Sequence, residues 1–200
     1  GVWGGASMAQ QGEETTAEAR FPWLWLIPGV LVLAVLTVWG VVVYPDLPAR
    51  VPQHLGSDGV DAYADKSVGS AFVPVFVQLG VLVVMSATTL LTLRITPESA
   101  LPPHRRTVGL VNRPKTAEGA RQVARAQLFL AFCVGLGMLA TCRVMWSTTP
   151  QQDAEGSATS TLVLTLLPIA LGTLAVVVTA LRDRGRGARG SGGERSSGVG

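Results

Sequence analysis

The chain has 200 residues, 48% of them hydrophobic and 14% charged, with a formal net charge of +3 at pH 7. The charges are clustered, and four long stretches hold almost none. That excludes a soluble helical protein, whose helices carry a polar stripe, and so modest a basic excess does not point to nucleic acid as a partner.

Residues 1–20 are polar and are expected to form a disordered cytoplasmic segment, with Met8 the expected start of the natural chain. The first apolar run covers about residues 23–44. A bilayer core of ~30 Å needs about 20 apolar residues of helix, so this run is long enough to cross. It is too long for the ~7–15-residue core of a signal peptide. Val43, Tyr44 and Pro45 at its end give no small-residue cleavage pattern, so it reads as an uncleaved anchor. Trp23 and Trp25 at one end and Tyr44 at the other mark the two interfaces. Pro28 falls near the start, where proline is tolerated.

The loop that follows, "YPDLPARVPQHLGSDGVDAYADKS", is too patterned for a passive connector. Pro45, Pro48 and Pro52 predict extended backbone at Tyr44, Leu47 and Val51, and a stiff segment without internal hydrogen bonds. "GSDG" predicts a turn. Val51, Leu55, Val60 and Tyr63 are expected to pack as a cap over the helix ends.

The second run covers about residues 69–93, with Pro74, Gln78, Ser86, Thr88 and Thr89 read as packing and bending devices. The central loop carries Arg94, Arg105, Arg106, Arg113, Lys115, Arg121 and Arg125. Within it Thr116 is the expected N-cap of a helix, with Glu118 in its first turn, running straight into the third apolar run at about 126–146. Cys133 and Cys142 lie in that run. Nine helical steps separate them by roughly 13 Å and put them on opposite faces, so no disulfide is expected between them. Arg143 is expected to reach the outer headgroups. The fourth run covers about 160–181, with Pro168 expected to kink it, and residues 182–200 read as a disordered Arg/Gly/Ser tail.

The architecture is therefore an all-α integral membrane protein: four transmembrane helices in a domain over 21–181, with a structured outer loop between helices 1 and 2. Basic residues stay on the cytoplasmic side. Arg20, the central loop and Arg182, Arg184, Arg186, Arg189 and Arg195 of the tail hold most of them, whereas the 45–68 loop has Arg50 and Lys66 alone. Both termini and the central loop are thus expected inside the plasma membrane, and the proline-rich loop outside.

Chemistry is sparse. His54, Asp58, Asp61 and Asp65 carry ligand atoms, but their spacing matches neither a calcium loop nor a zinc signature, so no metal is expected. His54 with Asp58 or Asp61 is the one conceivable general base, and no nucleophile sits in a recognisable motif. No phosphate-cradling glycine loop is present, no cofactor is expected, and the chain reads as non-enzymatic. The exposed candidates for ligand or partner binding are Tyr44, Pro45, Pro48, Pro52, His54, Asp58, Asp61, Tyr63 and Lys66 in the outer loop. Arg105, Arg106, Arg113, Lys115, Arg121 and Arg125 are candidates for contact with anionic inner-leaflet lipid or a cytoplasmic regulatory protein.

Tyr44, Pro45, Leu47, Pro48, Pro52, His54, Gly59, Asp61, Tyr63 and Lys66 also carry a resemblance. Over roughly residues 22–80 the chain resembles a family of small bacterial membrane proteins of unknown function, a domain found also at the front of SdpI-type immunity proteins. Those protect a cell from a secreted toxic peptide and can hold a transcriptional repressor at the membrane. The resemblance implies a sensor or immunity-type protein that recognises a peptide or envelope component through the outer loop. The alternative is a small transporter or an accessory subunit of one, although coupled transport usually leaves an ionisable group at mid-span and none is present.

Overall fold

The structure is a computed structural model that describes residues 20–56, 59–97, 100–102, 113–147 and 154–193. In chain order the elements are α1 (Trp23–Val43), a 3-10 turn (Tyr44–Asp46), β1 (Arg50–Gly56), β2 (Gly59–Asp65), α2 (Val68–Ala71), α3 (Val73–Arg94), α4 (Ala117–Met145) and α5 (Ala154–Gly193). Among the described residues, four helices are long and apolar enough to cross a membrane: α1, α3, α4 and α5. The chain is a multi-pass, membrane-type helical protein.

Helix α4 is the hub. It packs against α1, α3 and α5, while α1 also touches α3. Small residues make this closeness physical, because apolar surface alone does not drive helices together in lipid. A Cβ on Gly137 of α4 would lie 2.8 Å from the backbone oxygen of Thr165 in α5. A Cβ on Gly135 would lie 2.6 Å from Val32 of α1 and 2.8 Å from Gln78 of α3. Gln78 itself is fully buried, and its Nε2 donates to Ala131 O at 3.1 Å and to Gly29 O at 3.5 Å, which ties α1, α3 and α4 together. Thr89, also fully buried, donates to Gln127 Oε1 on α4 at 3.1 Å. The outward faces carry bare Leu31, Val42, Val83, Leu91, Leu166 and Leu174, which suits hydrocarbon as solvent.

Several boundaries depart from the sequence expectations. The second span does not run from residue 69 as one helix: α2 ends at Ala71, Phe72 breaks it, and α3 begins at Val73. Pro74 therefore sits in the first turn of α3, where a missing N–H costs nothing. The third helix, by contrast, begins where expected: Thr116 caps α4, accepting from Gly119 N at 2.9 Å, and the helix runs from Ala117 straight into the apolar run. Helix α5 starts at Ala154 and continues to Gly193, past the expected end of the span. The tail expected to be disordered from residue 182 is thus helical as far as Gly193, and Asp183 within it bonds to the start of α4, as shown below. Residues 1–19 and 194–200 lie outside the described residues.

Candidate functional site

The loop between α1 and α3 is a β-hairpin standing on one end of the bundle. Tyr44 is not extended as expected: it has helical angles (φ −50°, ψ −44°), and the chain tightens into the 3-10 turn with Leu47 N bonded to Tyr44 O at 3.3 Å. Pro45 fits the second position of that turn for the same reason that Pro74 fits in the first turn of α3. Leu47 is extended, as Pro48 requires.

The strands pair antiparallel, with Arg50 opposite Asp65, Val51 opposite Ala64 and Pro52 opposite Tyr63. The register then slips, so that His54 faces Ala62. Proline cannot donate to a ladder and is confined to edges and bulges, which is where Pro52 lies. Backbone pairing thus replaces the unbonded stiff segment expected from the prolines. Gln53, in the irregularity, donates through Nε2 to Ser70 O at 3.0 Å and anchors β1 to α2.

The base of the hairpin is fastened at several points. Lys66 Nζ donates to Pro45 O at 3.1 Å and Leu47 O at 3.0 Å, and lies 5.0 Å from the centre of the Tyr44 ring. Lys66 N donates to Ala49 O at 2.8 Å. Ser67 and Ser70 form a reciprocal cap on α2, and Ser70 Oγ also donates to Asp65 O at 2.6 Å. Beneath them Leu47 and Val51 are buried in one cluster with Leu36, Ala71, Val75, Cys142 and Trp146. Trp146 packs edge-on to Trp39 at 5.2 Å, and its Nε1 donates to Ala71 O at 2.8 Å. Of the residues expected to cap the helix ends, Val51 is buried and Tyr63 is half exposed.

The exposed surface is different in kind. His54 Nδ1 and Asp61 Oδ1 lie 2.6 Å apart, with side chains 68% and 58% exposed. Tyr63 presents its ring to solvent while its carbonyl accepts from Arg50 at 3.4 Å. The predicted site residues therefore divide. Tyr44, Pro45 and Lys66 build the base, Pro52 lies at the bulge and Pro48 is exposed at the strand entry, while His54, Asp61 and Tyr63 face out. Asp58 lies outside the described residues, as does Ser57 of the expected turn. Asp65 pairs across from Arg50 near the base, away from His54. Among the described residues no group of three or more His, Cys, Asp or Glu side chains is placed to hold a metal.

At the opposite end the basic candidates are scattered over several contacts. Arg113 Nη1 donates to Thr96 O at 2.8 Å, Arg121 pairs with Glu118 at 2.7 Å, and Arg125 is exposed. Arg105 and Arg106 lie outside the described residues. Asp183 is the residue that sequence reasoning missed. It is 5% exposed, and its carboxylate accepts from Lys115 N at 2.7 Å, Thr116 N at 3.1 Å and Thr116 Oγ1 at 2.8 Å. The available signal was one acidic residue set among Arg182, Arg184 and Arg186. Cys133 and Cys142 are free and buried, and Arg143 is exposed.

No curated protein and no solved structure gives a significant match to the chain. A family model does match part of it, from the middle of α1 through the hairpin and α2 into the first turns of α3. The hairpin and the helix ends that seat it are thus the part of this chain that matches the Domain of unknown function (DUF1648), over residues 31–77.

Proposed function

We propose that this is a non-enzymatic, multi-pass protein of the bacterial plasma membrane whose hairpin faces outward and recognises a peptide or an envelope component. The observation that carries the reading is the division of labour in the hairpin. Its base is fastened by Lys66, Gln53 and the buried Val51, while His54, Asp61 and Tyr63 stay exposed on strands that are held in place. A rigid platform with exposed polar and aromatic groups suits binding, since recognition residues are favoured where their supports are locked. With the hairpin outside, both termini and the basic end of the bundle lie in the cytoplasm, in reach of anionic lipid or a regulatory protein.

The test is protection and capture in the native host. Cells lacking the gene are challenged with secreted peptides from neighbouring strains, and sensitivity is scored with the wild-type gene or a His54→Ala, Asp61→Ala, Tyr63→Ala variant restored. Protection by the wild type and not by a membrane-inserted variant supports the reading. Equal protection by both, or none by either, removes it.

A second reading, a small transporter or an accessory subunit of one, rests on Gln78. Its side chain is fully buried where three helices meet, and among the described residues its Oε1 accepts no hydrogen bond. Substrate flux into liposomes that is abolished by Gln78→Leu would favour this reading over the first.

A further inference from the structure

The stretch of α5 that follows Leu181 is attached to the bundle in an unusual way. From residue 182 to 186, Asp183 is buried while Arg182, Arg184, Gly185 and Arg186 are exposed. A Cβ added at Gly185 would meet nothing within 4 Å. Among the described side chains of residues 182–186, Asp183 is thus the one buried against the bundle. That side chain does not contact another apolar surface but the start of α4, where unpaired N–H groups and the helix dipole favour a negative charge. The same carboxylate grips Lys115 N, Thr116 N and Thr116 Oγ1, so it also fixes the last residues of the central loop. Two residues earlier Arg113 ties that loop to Thr96 at the end of α3. Gly119 completes the fit, because a Cβ there would overlap the Asp183 carboxylate.

From this geometry we infer that Asp183 is a releasable clasp. Seated, it holds the arm of α5 and the end of the central loop against the first turn of α4. Displaced, it frees the arm and the loop end together, while the spanning helices stay packed through the contacts around Gly137 and Gln78. Release is local because the clasp lies beyond the apolar stretch, and the carboxylate has water as an alternative partner. The bonds to Lys115 N, Thr116 N and Thr116 Oγ1 open together because one carboxylate accepts all three. The exposed arginines on either side of Asp183 travel with it, so the basic surface at this end has two arrangements. Negative charge placed beside Asp183, or bulk placed in its seat, selects the open one.

The experiment is hydrogen exchange by mass spectrometry on the full chain in lipid nanodiscs, comparing wild type with Asp183→Ala, Thr116→Asp and Gly119→Ala. Thr116→Asp keeps a good N-cap while setting a second carboxylate against the first. Gly119→Ala raises helix propensity in α4 while filling the seat. In all three, exchange at residues 115–116 and 182–193 is expected to rise at least tenfold, with residues 160–180 unchanged. Thr116→Ser, which keeps the hydroxyl, is expected to match wild type. Should Asp183→Ala also lose protection in 160–180, the two other variants decide the matter. Arm and loop-end exchange within twofold of wild type in Thr116→Asp and Gly119→Ala overturns the clasp. So does a rise that extends equally into the spanning helix.

Discussion

Lys66 reaches back to Leu47, its ammonium 3.0 Å from the Leu47 carbonyl oxygen, and so joins the end of the hairpin to its beginning. The same group bonds Pro45 O at 3.1 Å, so one ammonium serves two carbonyls of the turn that follows α1. Hydrogen bonds to a charged donor contribute about 1.5–3 kcal/mol each in favourable settings. Lys66 is half-buried, so Lys66→Ala is expected to destabilise the protein by roughly 1–3 kcal/mol. Lys66→Met, which keeps an apolar stem of similar length but no donor, should recover part of that loss. Thermal unfolding in detergent, followed by near-ultraviolet circular dichroism, measures both.

Trp146 is a second fastening, made from the other side. Its indole N–H donates to Ala71 O from a buried position. Trp146→Phe leaves that carbonyl without its donor and is expected to cost about 1–3 kcal/mol. Trp146→Ala also empties the space between Trp39 and Phe72 and is expected to cost about 3–5 kcal/mol. The order of the two midpoints in the same unfolding assay checks the assignment. Equal losses would mean that the hydrogen bond, not the packing, dominates.

Gly137 sets the spacing of α4 and α5. The atom that a new Cβ would meet is a backbone oxygen, Thr165 O at 2.8 Å, which cannot swing aside as a side chain can. Gly137→Ala is expected to destabilise by about 1–3 kcal/mol despite the better helix propensity of alanine. Gly80 of α3 has nothing within 4 Å of its would-be Cβ, so Gly80→Ala is the control and should be neutral or stabilising. A midpoint for Gly137→Ala at or above that of Gly80→Ala would show that the helices are not in close contact there.

The exposed pair behaves differently. His54 and Asp61 are 68% and 58% exposed, and surface ion pairs contribute little to folding. His54→Ala and Asp61→Ala are each expected to change stability by less than about 0.5 kcal/mol. If they abolish binding in the protection assay while leaving the unfolding midpoint in place, the pair belongs to recognition. A drop comparable to Lys66→Ala would instead assign it to the base of the hairpin.

The spanning helices were legible in the sequence because one strong term decides them: the cost of charge in hydrocarbon, summed over about 20 residues. The Thr116 cap was legible because capping is local, set by Thr116 and the backbone of Gly119. The hairpin was half legible. Its prolines and turn residues marked a built loop, but pairing Arg50 with Asp65 depends on a register fixed by Val51 entering the core. No local rule supplies that contact. Tyr44 was misread for a related reason: the restriction before proline is a bias, and a 3-10 turn that begins at Tyr44 itself overrides it. Asp183 was illegible as a fastening because its partners stand 67 and 68 positions away in the chain. Composition alone placed it in a tail.

The account rests on the hairpin and the arginine-rich arm lying on opposite sides of one membrane. Single cysteines at Tyr63→Cys, on the exposed face of the hairpin, and at Arg186→Cys, on the arm, report this directly, because Cys133 and Cys142 are buried within the bundle. Intact cells are treated with a membrane-impermeant maleimide, then the measurement is repeated after permeabilisation. The account predicts labelling of Tyr63→Cys in intact cells and of Arg186→Cys only once the membrane is opened. Labelling of Arg186→Cys in intact cells, with Tyr63→Cys protected until permeabilisation, would contradict it.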